Sequence, residues 1–295
     1  MSKLKSVIFI FLLLLIGCSN QDGKSDAFGN FEADETIISA QSSGEILAFN
    51  IEEGEKLKKG EQVAVIDTTQ LVLQREQLQQ QIAGLEASIS TIERKIEVQK
   101  EQRRNLKIEK KRLRKLKQDS AATEKQWDQI IGQLRVSEAN LNAISSEKQK
   151  VYHNIKASKA KLGQVNDKIE KCYVTNPIDG TVLEKYINQY EVAASGKPLY
   201  KIANLNQVYL RAYVSGAQLS EIKIGEQVKV IIDKNETENQ SLNGKITWIA
   251  DDAEFTPKII QTKDVRVDLV YAIKILVQND GRIKIGMPGE VVFNK

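Results

Sequence analysis

From Thr68 to Glu170 the chain contains no proline, and its apolar residues recur every seven positions. Leu71, Leu78, Leu85 and Ile92 form one row, joined later by Leu106 and Leu113. Ile82, Ile89 and Ile96 form a second row, four residues after the first. Past a break near Gln118–Thr123, Trp127, Leu134, Leu141, Ile155, Leu162 and Ile169 make a new row. Ile130, Ile144, Val151 and Val165 make its companion, three residues on. Alternation of three and four is the seam of a coiled coil. The intervening Glu, Lys, Gln and Arg suit solvated faces. Thr123 followed by Gln126 fits a capping box that opens the second helix. The pattern predicts an antiparallel hairpin over 68–172, with arms of about 48 residues and roughly 70 Å each.

The flanks follow a period of two. Before the hairpin come Ser43-Gly44-Glu45-Ile46 and Glu52-Glu53-Gly54-Glu55-Lys56-Leu57-Lys58-Lys59-Gly60-Glu61, closing on Ile66-Asp67. After it come Asn176-Pro177-Ile178-Asp179-Gly180-Thr181-Val182 and Ser195-Gly196-Lys197-Pro198-Leu199-Tyr200. Each piece reads as strand, glycine turn, strand. The repetition predicts two halves, 36–67 and 173–203, of one β-sandwich split by the hairpin. Beyond Asn204, Val208, Leu210, Ala212 and Val214 alternate with Tyr209, Arg211 and Tyr213. Val265, Val267, Leu269, Tyr271, Ile273 and Ile275 alternate in the same way. Strands at Val228–Ile232, Ile246–Ile249 and Met287–Phe293 complete a small β-barrel with membrane-proximal β-structure over 204–295. The segment Ala250–Asp264 gives no clear pattern. The fold class expected is α+β and elongated.

The N-terminus changes the picture of where this protein resides. Lys3 and Lys5 precede an apolar run, Val7 to Ile16, of ten residues. At about 15 Å this is half of a bilayer core of roughly 30 Å, so 1–17 reads as a signal peptide. The run ends in Leu15-Ile16-Gly17-Cys18, which resembles the bacterial lipobox. On that reading Cys18 becomes a lipidated N-terminal residue, and 18–35, polar and glycine-bearing, is a flexible tether. An ordinary secreted protein with an incidental Cys18 is the plainer alternative. With Cys18 lipidated, Cys172 has no partner for a disulfide and reads as a small buried hydrophobe.

The paired half-motifs around a coiled coil resemble those of HlyD-like membrane fusion proteins, the periplasmic adaptor subunits of bacterial export systems. Glu254-Phe255-Thr256-Pro257-Lys258, Gln261-Thr262-Lys263, Leu269-Val270-Tyr271 and Gly286-Met287-Pro288-Gly289-Glu290-Val291 resemble the branch serving ABC-type exporters. The resemblance implies a lipoyl-like sandwich and a homo-oligomeric ring, a hexamer by family likeness. The implied partners are an inner-membrane ABC transporter permease/ATPase and a TolC-like outer-membrane channel. The cargo stays open. Family members that dock on TolC-like channels carry Arg, then Leu four residues on, then Ser or Thr seven further. Arg112, Leu116 and Thr123 have that spacing. The bland reading of the same residues is surface charge, seam residue and helix cap.

The remaining chemistry narrows the function further. His153 is the only histidine and lies in the hairpin, so no His-based triad or His-rich metal site can be assembled. No phosphate-cradling Gly-rich loop occurs. The expectation is no enzyme and no cofactor. Lipoyl and biotinyl carriers share the sandwich, but their modifiable lysine would sit where the hairpin is inserted, and neither Met-Lys-Met nor Asp-Lys-Ala occurs. A structural envelope lipoprotein using its coiled coil as a spacer is the second alternative. Arg103–Lys117 holds nine Lys or Arg against Glu109 alone, yet lacks stacking aromatics, so nucleic acid is not an expected partner. The net charge of +4 adds nothing to that.

Overall fold

A computed structural model describes residues 25–235, 238–255 and 269–293. The signal segment, Cys18, Thr256-Pro257-Lys258, Gln261-Thr262-Lys263, Val265 and Val267 lie outside the described residues.

The strands preceding the rod are β1 (Ala27–Glu32), β2 (Glu35–Ser39), β3 (Gly44–Phe49), β4 (Lys56–Leu57) and β5 (Gln62–Ile66). The rod is α1 (Thr69–Gln118) and α2 (Glu124–Glu170). The chain then re-enters β-structure through β6 (Tyr173–Thr175), β7 (Gly180–Lys185), β8 (Val192–Ala193) and β9 (Pro198–Ala203). The last unit holds β10 (Gln207–Ser215), a short α3 (Gly216–Leu219), β11 (Gln227–Asp233), β12 (Asn239–Ile249), β13 (Glu254–Phe255), β14 (Leu269–Gln278) and β15 (Pro288–Val292).

The sandwich has two four-stranded sheets, ordered β2-β9-β7-β4 and β6-β5-β3-β8. Each sheet takes two strands from before the rod and two from after it, so neither half can close alone. Ile46, Ile66, Cys172, Leu199, Tyr200 and Ile202 form its fully buried centre. Cys172 is inside, its thiol donating to the Lys168 carbonyl at 3.3 Å, with Ser42 Oγ 3.2 Å from the same sulfur. Asn176 ties the halves together. Its Nδ2 donates to the carbonyls of Lys58 at 3.1 Å and Ile178 at 2.6 Å. Its Oδ1 accepts from the Tyr200 hydroxyl at 3.0 Å. Its backbone exchanges bonds of 2.8 and 2.7 Å with Glu61 and Gly60. Burial, and then the charge of Glu61, push the Tyr200 phenol above its ordinary range, so it stays a neutral donor. On the outer face Lys201 reaches Glu35 at 3.1 Å and Glu184 at 3.4 Å, again spanning both halves. The hydrogen bond that Lys201 donates to Glu35 leads in raising its ammonium above the usual lysine value.

Both arms of the rod are rich in good helix formers, and packing of their apolar stripes adds to that local preference. Asp67 fixes the start of α1: its Oδ1 accepts from Thr69 N at 2.8 Å and from Thr69 Oγ1 at 2.6 Å. The Thr69 hydroxyl, then its amide, holds the Asp67 carboxyl below the ordinary value. The seam buries Ile82 and Ile92 of α1 against Ile130, Leu141, Ile155 and Val165 of α2. Ser137 and Ser158 are also buried there, at positions the apolar rows skip. Their small side chains let the backbones approach. Across the arms run Lys159–Glu86 at 3.0 Å, Lys148–Glu93 at 2.7 Å, Arg103–Glu138 at 3.2 Å and Lys117–Glu124 at 2.7 Å. Exposed pairs of this kind contribute about 0–1 kcal/mol each, so they set register more than stability.

In the last unit six strands close in the order β10-β1-β15-β11-β12-β14 and back to β10. The two-residue β13 attaches to the outer end of β14. Closure leaves few free edges. Phe31, Leu210, Val230, Ile246, Ile273, Ile275 and Val291 fill the interior.

The expected tether 18–35 is corrected by this arrangement. Ala27–Glu32 is a barrel strand, antiparallel to both β10 and β15. Its polar, glycine-bearing composition hid an inward pair, Ala27 and Phe31. Gly29 is required by close approach, because a Cβ there would stand 1.9 Å from the Arg211 carbonyl oxygen. Among the described residues the path therefore starts in the barrel, leaves for the sandwich, leaves that for the rod, and retraces each step.

Asn176→Ala should lower the stability of the sandwich by about 2–4 kcal/mol, since it strands the Tyr200 hydroxyl and two carbonyls at once. Urea unfolding followed by tyrosine fluorescence measures this. A change below about 0.5 kcal/mol would remove Asn176 from its role as the tie between halves.

Candidate docking site at the hairpin tip

The tip is built from two helix caps joined by five residues. α1 ends with Asp119 as its last half-helical residue and Ser120 at φ 58°. The Ala121 N–H reaches back to the Leu116 carbonyl at 2.8 Å and the Ser120 N–H to the Lys117 carbonyl at 3.1 Å. This is a Schellman turn with serine at the left-handed position where glycine is usual. α2 opens on the capping box expected at Thr123: Gln126 N donates to Thr123 Oγ1 at 3.3 Å and Thr123 N donates to Gln126 Oε1 at 2.9 Å. Both chain ends at the turn thus have their backbone groups satisfied locally.

Within that frame the three candidates have different positions. Arg112 is exposed and lies 3.3 Å from Glu109, one turn back on its own helix. Leu116 is 40% exposed, one turn further on, and stands off the seam that Leu113 occupies. Arg112 and Leu116 share a helix face by their four-residue spacing. The seam reading of Leu116 therefore fails. Thr123 is exposed, but its hydroxyl is committed to the cap and donates to Gln126 Oε1 at 3.0 Å. The helix-cap reading of Thr123 is the one the geometry supports. Cys18, the fourth candidate, lies outside the described residues.

One group at the tip went unread in the sequence. Lys110 and Lys117 place their ammonium groups 5.9 and 5.5 Å from the centre of the Trp127 ring. Lys117 also pairs with Glu124 at 2.7 Å. These contacts, cation on ring and ion pair, clamp the end of α1 to the first turn of α2. The signal was present: Arg103, Lys110 and Lys117 continue the seven-residue spacing of the seam after its hydrophobic residues thin out. Scoring apolar positions alone passes over them.

Among the described residues no group of three or more His, Cys, Asp or Glu side chains could hold a metal ion. No described helix is long and apolar enough to cross a membrane. His153 is exposed on α2, its ring 6.0 Å from that of Tyr152.

Comparison with known proteins agrees with this architecture. Residues 35–204 match the family model "RND MFP, barrel-sandwich hybrid domain", and residues 204–293 match "LcnD-like, C-terminal domain". The chain belongs to the membrane fusion protein family, the non-enzymatic periplasmic adaptors of the bacterial envelope. It is 25% identical to the UPF0194 membrane protein YE2891 of Yersinia enterocolitica, over 98% of this chain and 97% of that protein. It is 33% identical to the UPF0194 membrane protein YbhG of Salmonella gallinarum over 119 residues, 40% of this chain and 35% of that one. Its fold is similar to that of MacA from Actinobacillus actinomycetemcomitans, with a TM-score of 0.68 and 22% identity over 90% of this chain and 76% of that one. It is also similar to the membrane fusion protein Spr0693 from Streptococcus pneumoniae, with a TM-score of 0.56 and 14% identity over 91% and 98% of the chains.

Ser120→Gly should stabilise the tip by about 0.5–1 kcal/mol, because glycine carries no Cβ penalty at that backbone angle. Thr123→Ala should destabilise it by about 0.5–2 kcal/mol. Amide hydrogen exchange in residues 115–130 reports both. Faster exchange in Ser120→Gly would contradict the turn described.

Proposed function

We propose that this chain is the adaptor between an inner-membrane ABC-type exporter and a TolC-like outer-membrane channel. The carrying observation is the exposure of Arg112 and Leu116 beside a fully capped turn, at the far end of a rod about 75 Å long. A strut needs length alone. A docking end needs in addition an apolar knob and directional donors held in fixed geometry, and Leu116 and Arg112 supply these. Thr123 contributes by holding the turn.

In this reading the lipid on Cys18 holds the protein in the inner membrane, facing the periplasm. The barrel is the part nearest the transporter, because β1 places the described N-terminal end in it. The resemblance of Leu269-Val270-Tyr271 and Gly286–Val291 to the ABC-serving branch supports the exporter class, and the LcnD-like match over 204–293 covers the same segments. Sandwiches packed side by side in a homo-oligomeric ring, a hexamer by family likeness, set the rods into a tube. Substrate passes through that tube and is not tightly bound by any one chain.

Arg112→Asp and Leu116→Asp should each abolish export with protein level and membrane attachment unchanged. Undiminished export in both would turn the rod back into a strut. Cys18→Ala should leave an unprocessed precursor without acyl groups, as seen by mass spectrometry of the membrane fraction. Normally processed protein lacking lipid refutes the anchor.

A further inference from the structure

The positive charge of this chain is concentrated at one end of the rod. Residues 103–140 carry eleven lysines and arginines against five aspartates and glutamates, a surplus larger than the +4 of the whole chain. Nine of these cations lie on α1 and fall into three groups. Arg103, Lys110 and Lys117 lie along the seam and are engaged with Glu138, Trp127 and Glu124. Arg104 and Arg112 each have a carboxylate one turn back, at 3.6 and 3.3 Å. Lys107, Lys111, Arg114 and Lys115 are exposed, and among the described residues no ion pair reaches them.

Those four stand at successive spacings of four, three and one residue. On a helix they make a strip about 12 Å long, on the side of α1 and off the seam. Like charges so spaced weaken a helix. The dipole at the helix C-terminus offsets the repulsion only in the last turn, which holds Lys115 and Lys117. Lys107, Lys111 and Arg114 have no such local compensation, so a counter-charge brought by a partner would relieve their mutual repulsion.

The geometry also limits what the counter-charge can be. The turn itself, Asp119-Ser120-Ala121-Ala122-Thr123, holds no cation. A flat anionic surface met end-on, such as a bilayer, touches none of the four. A second copy offers little either. At the same height α2 bears Glu124, Asp128 and Glu138 against Lys125 and Arg135, and Glu124 and Glu138 are already paired across the arms. We propose that Lys107, Lys111, Arg114 and Lys115 form a lateral docking strip for an acidic helix of a partner protein. That helix lies alongside α1 and carries carboxylates at matching spacings of three and four. The strip is separate from the end-on contact assigned to Arg112 and Leu116 and does not depend on it.

The test uses purified full-length protein and three probes. One is a labelled helical peptide with glutamates at i, i+4, i+7 and i+8. The second has the same composition with glutamates scattered around the helix. The third is a phosphatidylglycerol vesicle. By fluorescence anisotropy the matched peptide should bind about tenfold tighter than the scattered one, and more weakly as salt rises. Substituting Lys107→Gln, Lys111→Gln and Arg114→Gln together should weaken it by about tenfold, with the helical circular dichroism unchanged. Leu116→Asp should leave peptide binding intact, which separates this strip from tip docking. Equal binding of both peptides overturns the proposal. So does vesicle binding that the triple substitution removes equally, or a triple variant whose only change is its oligomeric state by ultracentrifugation.

Discussion

Each sheet of the sandwich must be completed by strands that arrive about a hundred residues apart, and the rest of the molecule depends on that closure. β5 pairs with β6 through Val65 and Tyr173, the strands that send out and receive the rod. Their pairing fixes the spacing of the two arms at the base, which lets α1 and α2 meet in register from the first turn. Asn176 reinforces that junction from inside the sandwich, and Lys201 bridges β2 and β7 from its own strand β9 in the facing sheet. Contacts so distant in sequence form late in folding, since loop closure precedes any gain from them. Early zipping of the hairpin would shorten the effective loop and bring β5 to β6.

The same device is used twice. The barrel is interrupted by the sandwich as the sandwich is interrupted by the rod. Ala27 and Phe31 of β1 belong in the barrel core as much as Leu210 or Val291 do, although β1 ends at Glu32 and the next strand of that domain begins only at Gln207. Nesting ties three units in line without a flexible single-strand linker between any two, because two strands cross each junction. A rod meant to hold its far end at a set distance gains from such double connections.

At the far end the packing changes character. Near the sandwich the seam is made of Leu and Ile. Toward the tip one of its two rows becomes Arg103, Lys110 and Lys117, beside Leu106 and Leu113 of the other; their stems can pack while their charges find Glu138, Glu124 and the Trp127 face. A two-helix seam buries only a narrow stripe, so this end has little hydrophobic support to lose. The two caps at Ser120 and Thr123 and the lysine–tryptophan clamp supply order there by directional contacts. That leaves the off-seam positions, Leu116 and the lateral cations, free to serve a partner.

The rod was legible in the sequence because its cause is local and periodic. Alternating three- and four-residue spacing puts Ile82 and Ile92 on one stripe of α1, and Ile130 and Ile155 on one stripe of α2, whatever lies elsewhere; Thr123 with Gln126 closes a cap within four residues. The sandwich halves were legible from their glycine turns; Gly60, at φ 85°, is one place where the backbone requires glycine. The tertiary structure decided what has no local cause. β1 reads as tether because its partners, β10 and β15, lie about 180 and 260 residues away, and only the approach of Arg211 explains Gly29. Ser120 in a left-handed turn, and Leu116 outside the seam by a single position, follow from where α1 stops, which packing against α2 and the fit of the turn determine. Periodicity specifies which face of an element is buried; the partner that buries it, and the residue at which the element ends, are settled by the assembled fold.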